Sequence, residues 1–247
     1  MMSDKGVKTN EVSFGRQWDE FDSERNRTWG IDVETRLRMA LADFGQPPEW
    51  FRGKRVLDAG CGHGILTAQI ATLGANVTGI DVCDLEQARR RFPSVNYVRG
   101  DVSNPPFGPE VFDAIYSGGV LHHTPDTRRA FDALTKLLRP AGLMYVWLYW
   151  RVPGLTYKTR SMIRRTLAPF PYGIRRLPVF PFAAQAALRD RSLSFSEHRL
   201  AQHDFFTPRW RFEHTPEEVL GWCRDRGLRS ELRSTSRDGF GVLVSRS

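Results

Sequence analysis

Apolar runs along the chain alternate with stretches of helical periodicity. Val56-Leu57, Asn76–Ile80, Ser94–Arg99, Phe112–Ser117 and Leu143–Tyr149 each read as a strand buried in a parallel sheet. Between them, Ile65–Leu73, Leu85–Phe92 and Thr127–Leu138 have helical spacing. Gly74 stops the first of these helices, and Asp84 and Asp126 are placed to cap the other two. Strand and helix in regular alternation predict an α/β fold with a doubly wound sheet. Further on, Thr215-Pro216-Glu217-Glu218 opens a helix with Thr215 as N-cap and Pro216 in the first turn. Leu228–Thr235 and Phe240–Ser245 then predict a hairpin turning at Asp238-Gly239. At the other end, residues 1–13 read as a mobile tail, followed by two short helices. The second of these runs from about Asp32 to Phe44, ahead of Gly45 and Pro47-Pro48.

Residues 151–205 interrupt the pattern. Five prolines separate short helical pieces rich in Leu, Phe and Arg, a composition too apolar for a disordered linker. Ten basic residues face three acids there, a balance of +7 that accounts for nearly all of the chain's +8. Charge so concentrated argues for an anionic partner: a substrate, a nucleic acid or a membrane surface. The 247 residues allow one α/β domain with an insertion, and no run approaches the ~18 apolar residues of a membrane span. The polar, mixed-charge Met1–Asn10 lacks the apolar stretch of a signal peptide. Cys61, Cys83 and Cys223 are scattered, without the spacing of a zinc site or a disulfide framework, and the histidines have no metal-binding spacing. A cytoplasmic protein with no metal is the expectation.

The most informative stretch is Val56-Leu57-Asp58-Ala59-Gly60-Cys61-Gly62-His63-Gly64, a strand, a glycine turn and the start of a helix. A dinucleotide fingerprint would place its third glycine where this chain has Ile65, and no Lys-Ser/Thr follows to make a phosphate-binding loop. Asp58, two residues before the first glycine, would repel a pyrophosphate and suits a ligand carrying an ammonium and a sulfonium. With Val77–Val82, Arg99–Val102 and Phe112–Asp126 in the same order, the chain resembles the class I S-adenosylmethionine-dependent methyltransferases over roughly residues 50–150.

That resemblance implies a Rossmann-like, seven-stranded sheet in the order 3-2-1-4-5-7-6. Residues 1–50 would form an N-terminal helical lid, 51–150 the cofactor-binding core, 151–205 a basic helical cap, and 206–247 a helix and hairpin completing the sheet. S-adenosylmethionine would be held by Asp58, Ala59, Gly60, Cys61 and Gly62 of the turn, with Asp81 on the ribose and Val82 on the adenine face. The Asp58–Gly60 turn and Asp81 have the separation, about 20 residues, that lets an acid accept from two ribose hydroxyls. Asp101 would read the adenine amine, with Val102 beside it, because a carboxylate accepts and cannot donate. Ser117 and Gly118, ending the fourth strand, would face the methionine half. One of Phe14, Gln17, Trp18 and Trp29 in the lid is expected at the cofactor or substrate, Trp18 foremost.

Methyl transfer from a sulfonium needs chiefly alignment of the acceptor and exclusion of water. A hydroxyl acceptor would also use a general base, and His122 and His123 lie nearest the predicted transfer point, with His203 in the cap as a third candidate. The expected activity is transfer to a small-molecule acceptor, a hydroxyl on an anionic or bulky metabolite in sugar or natural-product biosynthesis. Arg164, Arg165, Arg175 and Arg176 would receive it. Two alternatives remain open. One is an RNA methyltransferase, against which Asn104-Pro105-Pro106-Phe107 stands too early in the chain to be the base-amine motif. The other acts on a lipid-linked acceptor at the membrane surface, with Leu155–Phe182 lying on an anionic bilayer.

Overall fold

The computed structural model describes residues 5–21, 26–28, 31–151, 154–236 and 238–246, with the backbone alone for 5–12 and 27–28. Contacts divide the chain into two compact units, one of Glu34–Arg151 with Phe212–Ser247, the other of Met1–Val33 with Val152–Arg211.

The first unit is built on a seven-stranded sheet: β1 (Arg55–Ala59), β2 (Asn76–Asp81), β3 (Asn96–Arg99), β4 (Phe112–Gly118), β5 (Leu138–Tyr149), β6 (Arg229–Thr235) and β7 (Gly239–Ser245). Numbered this way the order is β3-β2-β1-β4-β5-β7-β6, with β7 antiparallel to both neighbours and the other pairs parallel. Successive residues of β1 face opposite layers, as the two-residue repeat of a strand demands. Val56 packs with Phe44, Phe51, Ile70 and Tyr145, on the side of helices α2 (Val33–Phe44) and α3 (Ile65–Thr72). Leu57 packs with Phe131, Leu134, Val219 and Trp222, on the side of α5 (Thr127–Thr135) and α10 (Pro216–Asp225). Helix α4 (Glu86–Arg91) leads into β3. Two of the three expected caps are present, Asp126 accepting from Arg129 N at 3.0 Å and Thr215 from Glu218 N at 3.3 Å, whereas the N-cap of α4 is Leu85 and Asp84 sits one residue earlier, accepting from Glu86 N at 3.0 Å.

Three details depart from the sequence reading. Helix α5 ends at Thr135 rather than at Leu138, and β5 begins at Leu138 rather than at Leu143, ahead of Pro140 and Gly142. The strand absorbs them as an irregularity: Phe112 pairs with Leu138 and Ala114 with Leu143, and Ala141 takes a φ of 59°. Helix α1 spans Lys5–Glu20, so most of the expected tail is helical. Helix α2, placed with the lid by the sequence, buries Ala40 and Phe44 in the sheet unit, and the division falls at Val33/Glu34 rather than at residue 50.

Asp43, near the end of α2, is buried beside Tyr116, whose hydroxyl donates to Oδ2 at 3.3 Å. Burial pushes its carboxyl up from 3.8 to about 6. An acid whose folded-state pKa is raised contributes most below its ordinary pKa and loses that contribution as pH rises through the folded value. Charging Asp43 therefore destabilises the fold increasingly between pH 4 and 6. Asp43→Asn is expected to be about 1–3 kcal/mol more stable than the wild type at pH 7.5 and equal to it near pH 4, read from thermal melts. A lower melting temperature for the variant at pH 7.5 would contradict this.

The second unit is helical, formed by α1 with α6 (Leu155–Leu167), α7 (Tyr172–Arg175), α8 (Val179–Arg189) and α9 (Phe195–Phe206). A two-residue antiparallel ladder, Arg27–Thr28 with Ile31–Asp32, belongs to it and was not foreseen. Val179, Phe205 and Phe206 form its apolar centre with Tyr157, Ile163 and Phe182 against them. Ser194 and Glu197 close a reciprocal cap on α9.

Candidate active site

In an open parallel sheet, ligands sit beyond the carboxyl ends of the strands where the winding reverses, here between β1 and β4. Four strand ends converge there. Asp58 is the next-to-last residue of β1, and Thr67 Oγ1 in the first turn of α3 donates to its Oδ2 at 2.6 Å. Burial pushes the Asp58 carboxyl up to about 6 despite that bond, and nearby Asp81 adds to the rise. Asp81 ends β2 and accepts from Gly62 N (2.9 Å) through one oxygen and Cys83 N (3.0 Å) through the other. Beyond β3, Asp101 Oδ1 accepts from Ser103 N at 2.7 Å, an Asx turn that fixes the carboxylate. Each carboxylate has about four lone-pair sites, so all three retain acceptor capacity beyond these bonds.

The turn itself is held from within. Gly60 N and Cys61 N both donate to Ile80 O, at 2.7 and 3.1 Å, and Gly64 N donates to Cys61 O at 2.9 Å. These amides are committed within the protein, in keeping with a loop whose sequence argued against a phosphate. The glycines also serve internal packing. A Cβ on Gly60 would lie 2.2 Å from Val120 Cγ2, and one on Gly64 would lie 2.4 Å from the Tyr97 hydroxyl. The Cys61 side chain packs among Leu85, Ala88 and Tyr97, and burial pushes its thiol up. Val102 lies in the core with Leu57 and Ile80, so Cys61 and Val102 have their backbones to offer a ligand. Ser117, fully buried, donates to Ala59 O at 3.3 Å and ties β4 to β1, whereas Gly118 is exposed. Val82 is half-buried, its carbonyl accepting from Arg99 Nε at 3.1 Å.

After β4 the chain makes one tight turn, Leu121–His123, that carries both histidines. Their rings lie 4.4 Å apart, and His122 stands 4.0 Å from the Tyr149 ring. His122 Nδ1 accepts from Tyr149 N at 3.4 Å and Phe212 N donates to its carbonyl at 2.9 Å.

A family profile described as a methyltransferase domain matches residues 57–146, the stretch that contains all three acids and both histidines. Residues 57–146 are thus a methyltransferase domain. The chain is 32% identical over 137 residues to a ubiquinone biosynthesis O-methyltransferase of Pectobacterium carotovorum, covering 51% of this chain and 57% of that one. It is 35% identical over 99 residues to a phthiotriol/phenolphthiotriol dimycocerosates methyltransferase of Mycobacterium tuberculosis, covering 36% of each. The chain thus spans less than two thirds of the length of these curated relatives. In fold it is similar to 1,6-didemethyltoxoflavin-N1-methyltransferase of Burkholderia thailandensis, with a TM-score of 0.58 and 18% identity over 98% of this chain and 88% of that one.

For this methyltransferase domain S-adenosylmethionine is the expected cofactor. Its residues fit that group: the oriented acids, Asp58 and Asp81 buried and Asp101 half-buried, accept from amine and hydroxyl donors and attract positive charge, and the Gly60, Cys61, Gly62 and Gly64 amides are already bonded within the protein.

The remaining candidates fall in the helical unit. His203 on α9 is buried, with Nε2 2.8 Å from the Tyr172 hydroxyl and Nδ1 3.1 Å from Gln17 Oε1 and 3.2 Å from Thr207 Oγ1. Burial pushes its pKa down to about 4, which leaves it neutral at physiological pH. Gln17 is fully buried in this network and Trp18 is half-buried on α1; Trp29 lies outside the described residues. Of the four arginines expected to meet an acceptor, Arg164 and Arg175 are buried inside the unit, and Arg165 and Arg176 are exposed. Sequence reasoning missed Thr67 as the partner of Asp58; a hydroxyl in the first turn of the helix after the glycine turn was the available signal.

Proposed function

We propose that the chain transfers a methyl group from S-adenosylmethionine to a hydroxyl of a small, bulky or anionic acceptor. The observation that carries the reading is the set of Asp58, Asp81 and Asp101 at adjoining strand ends, each already oriented by a hydrogen bond. Asp81 is assigned the ribose hydroxyls, Asp101 the adenine amine, and Asp58 the positively charged amino-acid end. When bound, the cofactor supplies a methyl group on a positively charged sulfur. The chain's own work is to hold the acceptor in line, exclude water and remove a proton. His122, accepting from the Tyr149 N–H through Nδ1, keeps its own proton on Nε2. His123 is therefore assigned as general base, taking the hydroxyl proton as the new carbon–oxygen bond forms. His122 positions the turn, and His203 serves the helical unit.

An O-directed reaction is supported by the ubiquinone biosynthesis O-methyltransferase among the relatives. The +7 balance of residues 151–205 supports an anionic partner. The exposed apolar and basic side chains of the same segment support contact with a membrane surface, and so a lipid-linked acceptor as the second reading.

A panel of hydroxylated acceptors with labelled S-adenosylmethionine would identify the substrate. With it, His123→Gln is expected to lower kcat by about 10²–10³-fold and leave S-adenosylhomocysteine affinity unchanged, with partial recovery at high pH. His122→Gln should act mainly on stability. Equal kcat for His123→Gln and wild type would remove the base assignment.

A further inference from the structure

We propose that the outer face of α6–α8 docks on an anionic phospholipid bilayer as a peripheral contact. On α6, Leu155, Lys158, Met162 and Arg165 are exposed at the spacing of one helical face, with Thr159 and Thr166 exposed beside them. That face therefore mixes apolar and basic side chains with small hydroxyls. The segment continues in the same manner, with Phe170, Leu177, Phe180 and Leu188 exposed and Arg176 and Arg189 exposed among them. Leu155, Met162, Leu177, Phe180 and Leu188 are each 63–81% exposed, more than a soluble surface needs to leave to water in one segment. Phe180 on α8 stands 5.5 Å from Phe195 at the start of α9, and the two form one exposed aromatic pair.

Charge selects the occupant. Between residues 154 and 195 the chain has eight Lys and Arg and a single acid, Asp190. A symmetric pairing with a second copy would bring two such basic faces together. RNA would find phosphate partners here, and Phe170 and Phe180 offer two stacking faces, but four of the five most exposed apolar groups, Leu155, Met162, Leu177 and Leu188, are aliphatic and offer bases none. Anionic lipid satisfies both halves: basic groups meet headgroups while apolar side chains enter the acyl boundary. Among the described residues no helix is long and apolar enough to cross a membrane, so the contact lies on the surface. This inference does not depend on the identity of the acceptor.

The test is flotation of the full chain with vesicles of phosphatidylcholine alone or with 30% phosphatidylglycerol, at low and high salt. Wild type is expected to float with anionic vesicles and to be released by salt. A Leu155→Ser/Met162→Ser/Leu177→Ser/Phe180→Ser variant should bind at least about tenfold more weakly, and Lys158→Glu/Arg165→Glu/Arg176→Glu about 100-fold more weakly. Because all these positions are exposed, circular dichroism and S-adenosylhomocysteine affinity should match wild type and show that the fold is kept. Absence of flotation with anionic vesicles at low salt would overturn the proposal. So would equal flotation with neutral vesicles, or unchanged flotation of both variants. Self-association that the serine variant abolishes, without vesicle binding, would assign the face to a second copy and overturn it too.

Discussion

Replacing Asp81 by Ala is expected to weaken S-adenosylhomocysteine binding by about 10²–10⁴-fold, the largest effect of any single side chain in the site. Two hydrogen bonds to a charged acceptor are worth roughly 1.5–3 kcal/mol each, and the ribose diol would lose both. The same substitution also leaves Gly62 N and Cys83 N without their acceptor, so the glycine turn loses its tie to β2. A second signature follows: melting temperature should fall in the ligand-free protein as well, by an amount matching about 1–3 kcal/mol. Asp81→Asn separates the two effects poorly, because its amide would present a donor to one of two N–H groups. Binding within threefold of wild type for Asp81→Ala would show that the ribose is held elsewhere.

Gly60→Ala is expected to cost about 2–5 kcal/mol of stability. Part is backbone strain, since Gly60 has φ of +92°, a conformation that costs an L-residue roughly 1–2 kcal/mol. The rest is overlap with Val120, 2.2 Å from the new Cβ, in a core that tolerates overpacking at roughly 1–3 kcal/mol. Val120→Ala added to Gly60→Ala should recover the overlap and leave the strain, so the double variant lies between the single variant and wild type. A Gly60→Ala protein melting with wild type would mean that the turn does not pack as described.

Much of this architecture could be read from local pattern. The β1–turn–α3 unit announced itself through Asp58 and the glycine spacing, and the caps at Asp126 and Thr215 fixed two helix starts to the residue. These signals are local: a cap or a turn is decided within four residues. The parts that were not legible depend on partners far along the chain. Gly60 is required by Val120 and Gly64 by Tyr97, residues separated from them by a strand or more. Nothing in a linear reading shows that a glycine serves the core as well as a ligand.

The first half of the N-terminal helix, read as a tail, was missed for a different reason. Lys5–Glu20 contains Gly6 and Gly15 and several β-branched or polar residues, so intrinsic propensity argues against a helix there. Tertiary packing overrides it: Ser13 pairs with Thr207 at 2.6 Å and Gln17 with His203, both on the distant 195–207 stretch. Likewise Pro140 and Gly142 signal a break, yet pairing on both sides carries β5 through them. Among the candidate bases, the histidine pair after β4 was placed by its distance from a recognisable strand, whereas His203 could be placed only once α9 was seen in the helical unit.

The site's electrostatics give the account its sharpest test. Asp58 titrates near 6 in the ligand-free chain because it is buried, so it is anionic above that pH and neutral below it. The ammonium group of the ligand's amino-acid end prefers the anion, and affinity should fall as pH drops through 6, by at most about tenfold per unit. Calorimetric titration of the whole chain with S-adenosylhomocysteine at pH 7.5 and pH 5 is therefore the decisive measurement. One site per chain, binding more weakly at pH 5 than at 7.5, is the predicted result. No binding at either pH, with NAD or ATP taken up in its place, would contradict the assignment of Asp58, Asp81 and Asp101 to a sulfonium nucleoside.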